Sequence, residues 1–171
     1  QGTGSVAVGV NAALNAQGNN AVAVGNQAGK TDQGADAVAV GRYAGSGDQG
    51  INSVAIGYNA ACADQGGSSV AIGSSAGKVS QGASAVAIGI LASAVNQNNY
   101  AVSVGREAGC NAQGAHAVAV GYQAGEVAQG TSGVAIGVNA GRNLQGAQGI
   151  AIGNAAGVTA QGANSIILNA T

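Results

Sequence analysis

The chain has 171 residues, a formal net charge of −1 and a charged fraction of 6%, with 32 Gly, four Tyr as the only aromatics, and no Pro, Met, Phe or Trp. So few charges leave Gly, Ala, Asn, Gln and Ser to face water, and so few large side chains exclude a conventional core. Five basic residues exclude a phosphate-binding face for nucleic acid or a basic membrane-surface patch, and no apolar run reaches the ~18 residues of a membrane span. No secretion signal opens the chain, and the absence of Met predicts a processed or excised piece of something longer.

Gln recurs at residues 1, 17, 33, 49, 65, 81, 97, 113, 129, 145 and 161, a period of sixteen without insertion or deletion. The predicted domain is therefore one repeat array over 1–171, with ten complete repeats and a partial eleventh, 161–171, that caps the array or hands over to another element. Counting each repeat from its Gln, position 2 is Gly in ten of eleven copies, Asn98 being the exception. Position 6 is always Val or Ile, and position 8 is Val, Ile or, once, Leu168. Position 7 between them is Ala nine times, with Ser103 and Ile167 as departures. Position 9 is Gly except for Asn169, and position 12 is Ala in all ten complete copies.

The V-A-V/I triplet alternates with period two and is β-branched on one face, which predicts a short strand. Gly at 2 and 9, each replaced only by Asn, predicts two left-handed corners. Two corners imply two short strands per coil, and coils stacked at the ~4.8 Å spacing of neighbouring strands would make an all-β parallel solenoid roughly 50 Å long. Sixteen residues favour a flattened two-sided roll over a three-sided helix. A helix is excluded, because every helical window contains Gly at ~1 kcal/mol each.

On this reading Val or Ile at 6 and 8 points inward against Ala12 and its equivalents. Ala7, Ala23, Ala39, Ala55, Ala71, Ala87, Ser103, Ala119, Ala135 and Ala151 then form a smooth outer stripe, a subunit seam about a three-fold axis parallel to the rod; the alternative is a merely exposed, Ala-biased column. Burial of about 5 kcal/mol per coil falls well short of the entropy of ordering sixteen residues, so a single chain needs further support. The invariant column Gln17, Gln33, Gln49, Gln65, Gln81, Gln97, Gln113, Gln129, Gln145 and Gln161 is a structural ladder of stacked amides, or a set of caps on its own corner.

The cores Asn52-Ser53-Val54-Ala55-Ile56-Gly57 and Ser69-Val70-Ala71-Ile72-Gly73, followed by x-x-A-G or x-x-A-A, resemble the head repeats of trimeric autotransporter adhesins, the YadA-like family, over the whole chain. The resemblance implies a left-handed parallel β-roll, a homotrimer, and a head carried on a stalk outside the cell that binds host or matrix surfaces. Two features depart from that family: its common unit is about fourteen residues, and it requires no unbroken Gln column. Similar repeats occur in viral and phage fibres.

Other patterns belong to the repeat. Gly45-Ser46-Gly47-Asp48-Gln49-Gly50 fits G-x-G-x-x-G without a following helix, and Gly73-Ser74-Ser75-Ala76-Gly77 fits G-x-S-x-G without a partner base, His116 being the sole histidine. No catalytic or cofactor-binding residue is assigned. Asp32, Asp48 and Asp64 share position 16 in consecutive coils, either as exposed loop acids or as a weak candidate for Ca²⁺. Cys62 and Cys110 share position 14 three coils apart, about 14 Å, beyond disulfide reach. Arg42, Tyr43, Tyr58, Ile90, Leu91, Arg106, Glu107 and Tyr122 occupy positions 10 and 11, a variable stripe suited to recognition or to neutral drift. Asn169-Ala170-Thr171 is a glycosylation-type sequon.

The expected function is a non-enzymatic, extracellular adhesive fibre module on a cell or virion surface, a homotrimer that presents a surface to host or matrix. The alternatives are a filament or fibre segment stacked end to end without a receptor and, more remotely, an ice-binding β-face, although no Thr column supplies one.

Overall fold

A computed structural model of the chain describes residues 1–169, so the last two residues of the sequon lie outside the described residues. The chain is an all-β parallel solenoid of about ten coils of sixteen residues. The V-A-V/I triplets form one eleven-stranded parallel sheet, from Val6–Val8 through Val54–Ile56 to Ile166–Leu168. Each triplet pairs with the same triplet one repeat on, Val6 with Val22 and Ala7 with Ala23. The opposite wall is the segment that ends on Gln. It forms strands at Asn15–Gln17, Thr31–Gln33, Ala63–Gln65, Val79–Gln81, Val95–Gln97 and Asn111–Gln113, continued elsewhere by single bridges such as Gln33 to Gln49 and Val127 to Asn143. Backbone bonds run from coil to coil, as from Gly25 N–H to the Val8 carbonyl and from Gly41 N–H to the Val24 carbonyl, both 2.8 Å.

The faces of the main sheet are the reverse of the sequence expectation. Ala23, Ala39, Ala55, Ala71, Ala87, Ser103, Ala119, Ala135 and Ala151 are completely buried within the single chain, and Ala7 in the first coil packs against the same core. They cannot form a subunit seam. Val and Ile at 6 and 8 point outward instead, and Ile56, Ile72 and Ile88 are each 37% exposed. The reason is the thickness of the roll. The Gln side chain crosses the interior, and its Nε2 donates to the position-6 carbonyl of the preceding coil: Gln33 to Val22 at 2.8 Å, Gln129 to Val118 at 2.9 Å. One amide side chain thus spans wall to wall. Beside it only small residues fit, and the interior is filled by Ala at 7 and 12 and by Ala, Ser or Gly at 5.

Position 9 is a left-handed corner, with φ between 111° and 133° along the Gly file, a range that L residues rarely adopt. Position 2 is not. Gly18, Gly34 and Gly50 lack positive φ, and a Cβ on Gly34 would stand 2.6 Å from the backbone carbon of Gly50. The close stacking of coils leaves little room for a side chain there. Asn98, at the same position, turns its amide to the Gln113 carbonyl at 2.9 Å. The remaining left-handed residues fall at positions 4, 11, 13 and 16, where Asn20, Tyr43, Ala61 and Asp64 have φ of 55°, 60°, 44° and 55°.

Candidate functional site

Three features of this rod can interact with something outside it or hold it together: the outward Val/Ile face, the interior glutamine file, and the variable stripe at positions 10 and 11. The strands of the Val/Ile face are in unbroken register, and the face continues from coil to coil along the whole sheet. Aliphatic side chains at two positions of every coil make it a continuous apolar band on one side of the rod. A contiguous apolar band of this extent marks a surface that associates.

The glutamines stand in a single file. Gln17, Gln33, Gln49, Gln65, Gln81, Gln97, Gln113, Gln129, Gln145 and Gln161 are all at most 6% exposed. Besides the bond across the roll, Nε2 donates to the Oε1 of the next glutamine in the series Gln97, Gln113, Gln129, Gln145, Gln161 at 3.1–3.2 Å, and also from Gln17 to Gln33 and from Gln65 to Gln81. Gln97 also donates to the carbonyl of Ala101 in its own coil at 3.1 Å, so there one amide bonds both along the file and at its own corner. Two polar residues at normally apolar interior positions join the file: Ser93 Oγ donates to Ser103 Oγ at 2.7 Å, and Ser103 Oγ to Gln113 Oε1 at 2.7 Å.

The variable stripe resolves into separate clusters. The Arg42 guanidinium lies over the rings of Tyr43 and Tyr58, 4.9 and 5.9 Å from their centroids. Arg106 lies 5.7 Å from the Tyr122 centroid and pairs with Glu107 at 3.1 Å. Glu107 in turn accepts from Gln123 at 2.8 Å, and this bond, with Arg106, holds its carboxyl below the usual range. Arg142 reaches Glu126 at 2.6 Å, a pair at position 14 that sequence reasoning did not single out. Ile90, 53% exposed, and Leu91, at φ 57°, form an aliphatic stretch between the two Arg clusters.

Of the other candidates, Asp48 and Asp64 border a shallow groove with Ser80, Asn98 and Asn99, a lining that does not include Asp32. Among the described residues no group of three His, Cys, Asp or Glu side chains is placed to hold a metal ion. His116 is exposed and stacks on Tyr100 with ring centroids 4.9 Å apart and planes at 14°, a contact made by two left-handed position-4 residues in successive coils. Cys62 and Cys110 are free and half-buried, and burial pushes the Cys110 thiol up from its ordinary value. Ser75, centre of the G-x-S-x-G pattern, is a left-handed turn residue. No described helix is long and apolar enough to cross a membrane.

A roll of this kind, with an apolar outer band and a polar interior spine, defines a structural repeat module. The family model of the YadA head domain repeat matches the chain in two copies, at residues 1–28 and 49–61, and the β-solenoid fits a YadA-like head repeat. No curated protein and no solved structure matches the chain. The matched segments are similar to structural, adhesin-like β-rolls.

Proposed function

We propose that the chain is a non-enzymatic attachment module, a left-handed β-roll that associates as a homotrimer about an axis parallel to the rod and is displayed outside a cell or on a virion, where it presents its variable stripe to a host or matrix surface. The observation that carries this reading is the outward Val/Ile band. A lone rod would leave Ile56, Ile72, Ile88, Ile136 and Ile152 each 37–40% exposed along one line, an apolar surface that soluble monomers rarely keep. Association covers it. The thin interior supports the same conclusion, because Ala and Gly bury little apolar area per ordered residue. Three-fold symmetry, handedness and surface display come from the likeness to YadA head repeats, and positions 10 and 11 remain outside the band.

Light scattering on the chain at micromolar concentration tests it. The expected mass is three times 15.9 kDa. Ile72→Glu combined with Ile88→Glu places charges in the band and is expected to reduce the mass to that of one chain while the β-sheet circular dichroism persists. A parent chain that stays monomeric at micromolar concentration overturns the reading.

A further inference from the structure

Position 10 carries an Arg followed one coil later by a Tyr at two places, Arg42 with Tyr58 and, four coils on, Arg106 with Tyr122. In both, the guanidinium lies over the Tyr ring, at 5.9 and 5.7 Å. The two clusters differ at position 11. Beside Arg106 stands Glu107, which accepts from Nε and Nη2 at 3.2 and 3.1 Å and neutralises the cation. Beside Arg42 stands Tyr43. Its ring lies under the guanidinium at 4.9 Å, and its hydroxyl accepts from Nη2 at 3.5 Å. Among the described residues no carboxylate pairs with Arg42, so this cation is held in place but left uncompensated.

The two rings beneath it are also held. Tyr43 and Tyr58 meet edge to face, centroids 6.5 Å apart and planes at 69°. Tyr43 has φ 60°, the left-handed conformation that position 11 imposes in every coil, so its Cα–Cβ bond leaves the rod in a set direction. Tyr58 is 50% exposed. A fixed cation stacked over two steeply inclined aromatic rings, one of them half exposed, matches a ligand with a C–H face for stacking on the ring and an anionic substituent for the guanidinium. A neutral sugar leaves the cation unanswered, and a small inorganic anion leaves the rings unused.

We propose that Arg42, Tyr43 and Tyr58 form a subsite for an acidic sugar, a pyranose that bears a carboxylate or sulfate. The inference rests on the reading of the rod as an attachment module, and a trimer would carry three such subsites at one height, multiplying weak single contacts.

Saturation-transfer NMR on the full chain, with lactose, 3′-sialyllactose and a heparin-derived tetrasaccharide as probes, tests this alongside the mass of the same sample. At least one acidic probe should respond well above lactose, and which one does tells carboxylate from sulfate. Arg42→Gln and Tyr58→Ala should each weaken that binding about fivefold or more, the loss of one exposed cation–aromatic or charge-assisted contact, whereas Arg106→Gln should bind as the parent does. Circular dichroism checks that each variant keeps its sheet. Equal responses to lactose and both acidic probes overturn the subsite, as does unchanged binding by Arg42→Gln. A monomer that binds the acidic probe supports the subsite and overturns only the trimer; a trimer that fails to bind it overturns only the subsite.

Discussion

The interior glutamine file is continuous in the later coils and interrupted in the earlier ones. From Gln97 to Gln161 every amide donates to the next, whereas the links from Gln33 to Gln49, Gln49 to Gln65 and Gln81 to Gln97 are missing. The acceptor oxygens left without partners are those of Gln17, Gln49, Gln65 and Gln97. Three of these four follow a position 13 that is not glycine: Ala13, Ala61 and Ser93. Where position 13 is Gly, an added Cβ would stand 2.7–3.0 Å from the amide of the glutamine four residues on, as at Gly29, Gly77 and Gly109. A real methyl there must displace that amide by some tenths of an ångström, enough to open the link. Gln49 follows Gly45 and is left unlinked as well, and nothing in the structure explains it. At Gln65 and Gln97 the open link therefore tracks a side-chain carbon at position 13.

The largest effect that can break this comparison is removal of an amide from the continuous stretch. Gln129→Leu removes four hydrogen bonds, those donated to the carbonyls of Val118 and Gly133 and to the Oε1 of Gln145 and the one accepted from Gln113. At ~0.5–1.5 kcal/mol per bond lost, the cost should be about 3 kcal/mol, read as a lower urea midpoint; a loss below about 1 kcal/mol would show the file to be incidental. Smaller and opposite effects sharpen the comparison. Gly125→Ala should open the link to Gln129 and destabilise by about 1–2 kcal/mol, whereas Ala61→Gly, which also relieves a residue at φ 44°, should stabilise by about 1 kcal/mol in thermal melts. If both changes shift the melt in the same direction, the position-13 account fails. The smallest effect lies outside the file. The carboxyl of Glu107 is held below its ordinary value chiefly by the Gln123 bond, so its contribution is complete above the unfolded carboxyl range and is lost as pH falls through the lowered folded value. Melts from neutral to acid pH should show this dependence in the parent and lack its share in Glu107→Gln.

The period, the stacked register and the strand at V-A-V/I were legible because a sixteen-residue spacing without slips leaves like residues above like residues. Which face of that strand is inside was not. Alternation shows that positions 6 and 8 share a face and that 7 has the other, but the choice depends on what fills the space between the walls, and that is the glutamine. The signal was present in the small residues flanking it: Ala, Ser or Gly at every position 5, and Gly, Ala or Ser at every position 13. A cavity lined by four small columns and one amide has no room for Val. The left-handed residues at 4, 11 and 16 were hidden because residues as unlike as Tyr100, His116, Leu91 and Leu144 adopt that conformation when the coils above and below hold the backbone there. In the variable stripe the sequence marked the right file, and geometry then separated a bare cation at Arg42 from a neutralised one at Arg106.

Nearly all of the backbone bonding joins one coil to the next, so the bonds lie along the rod's length. A pull applied at the two ends loads these layers in series, and an outermost coil can peel away without disturbing those beneath it. Each coil released exchanges a rise of ~4.8 Å for sixteen residues of extended chain, roughly 50 Å. A tether built this way would lengthen about tenfold under tension before its covalent backbone bore the strain.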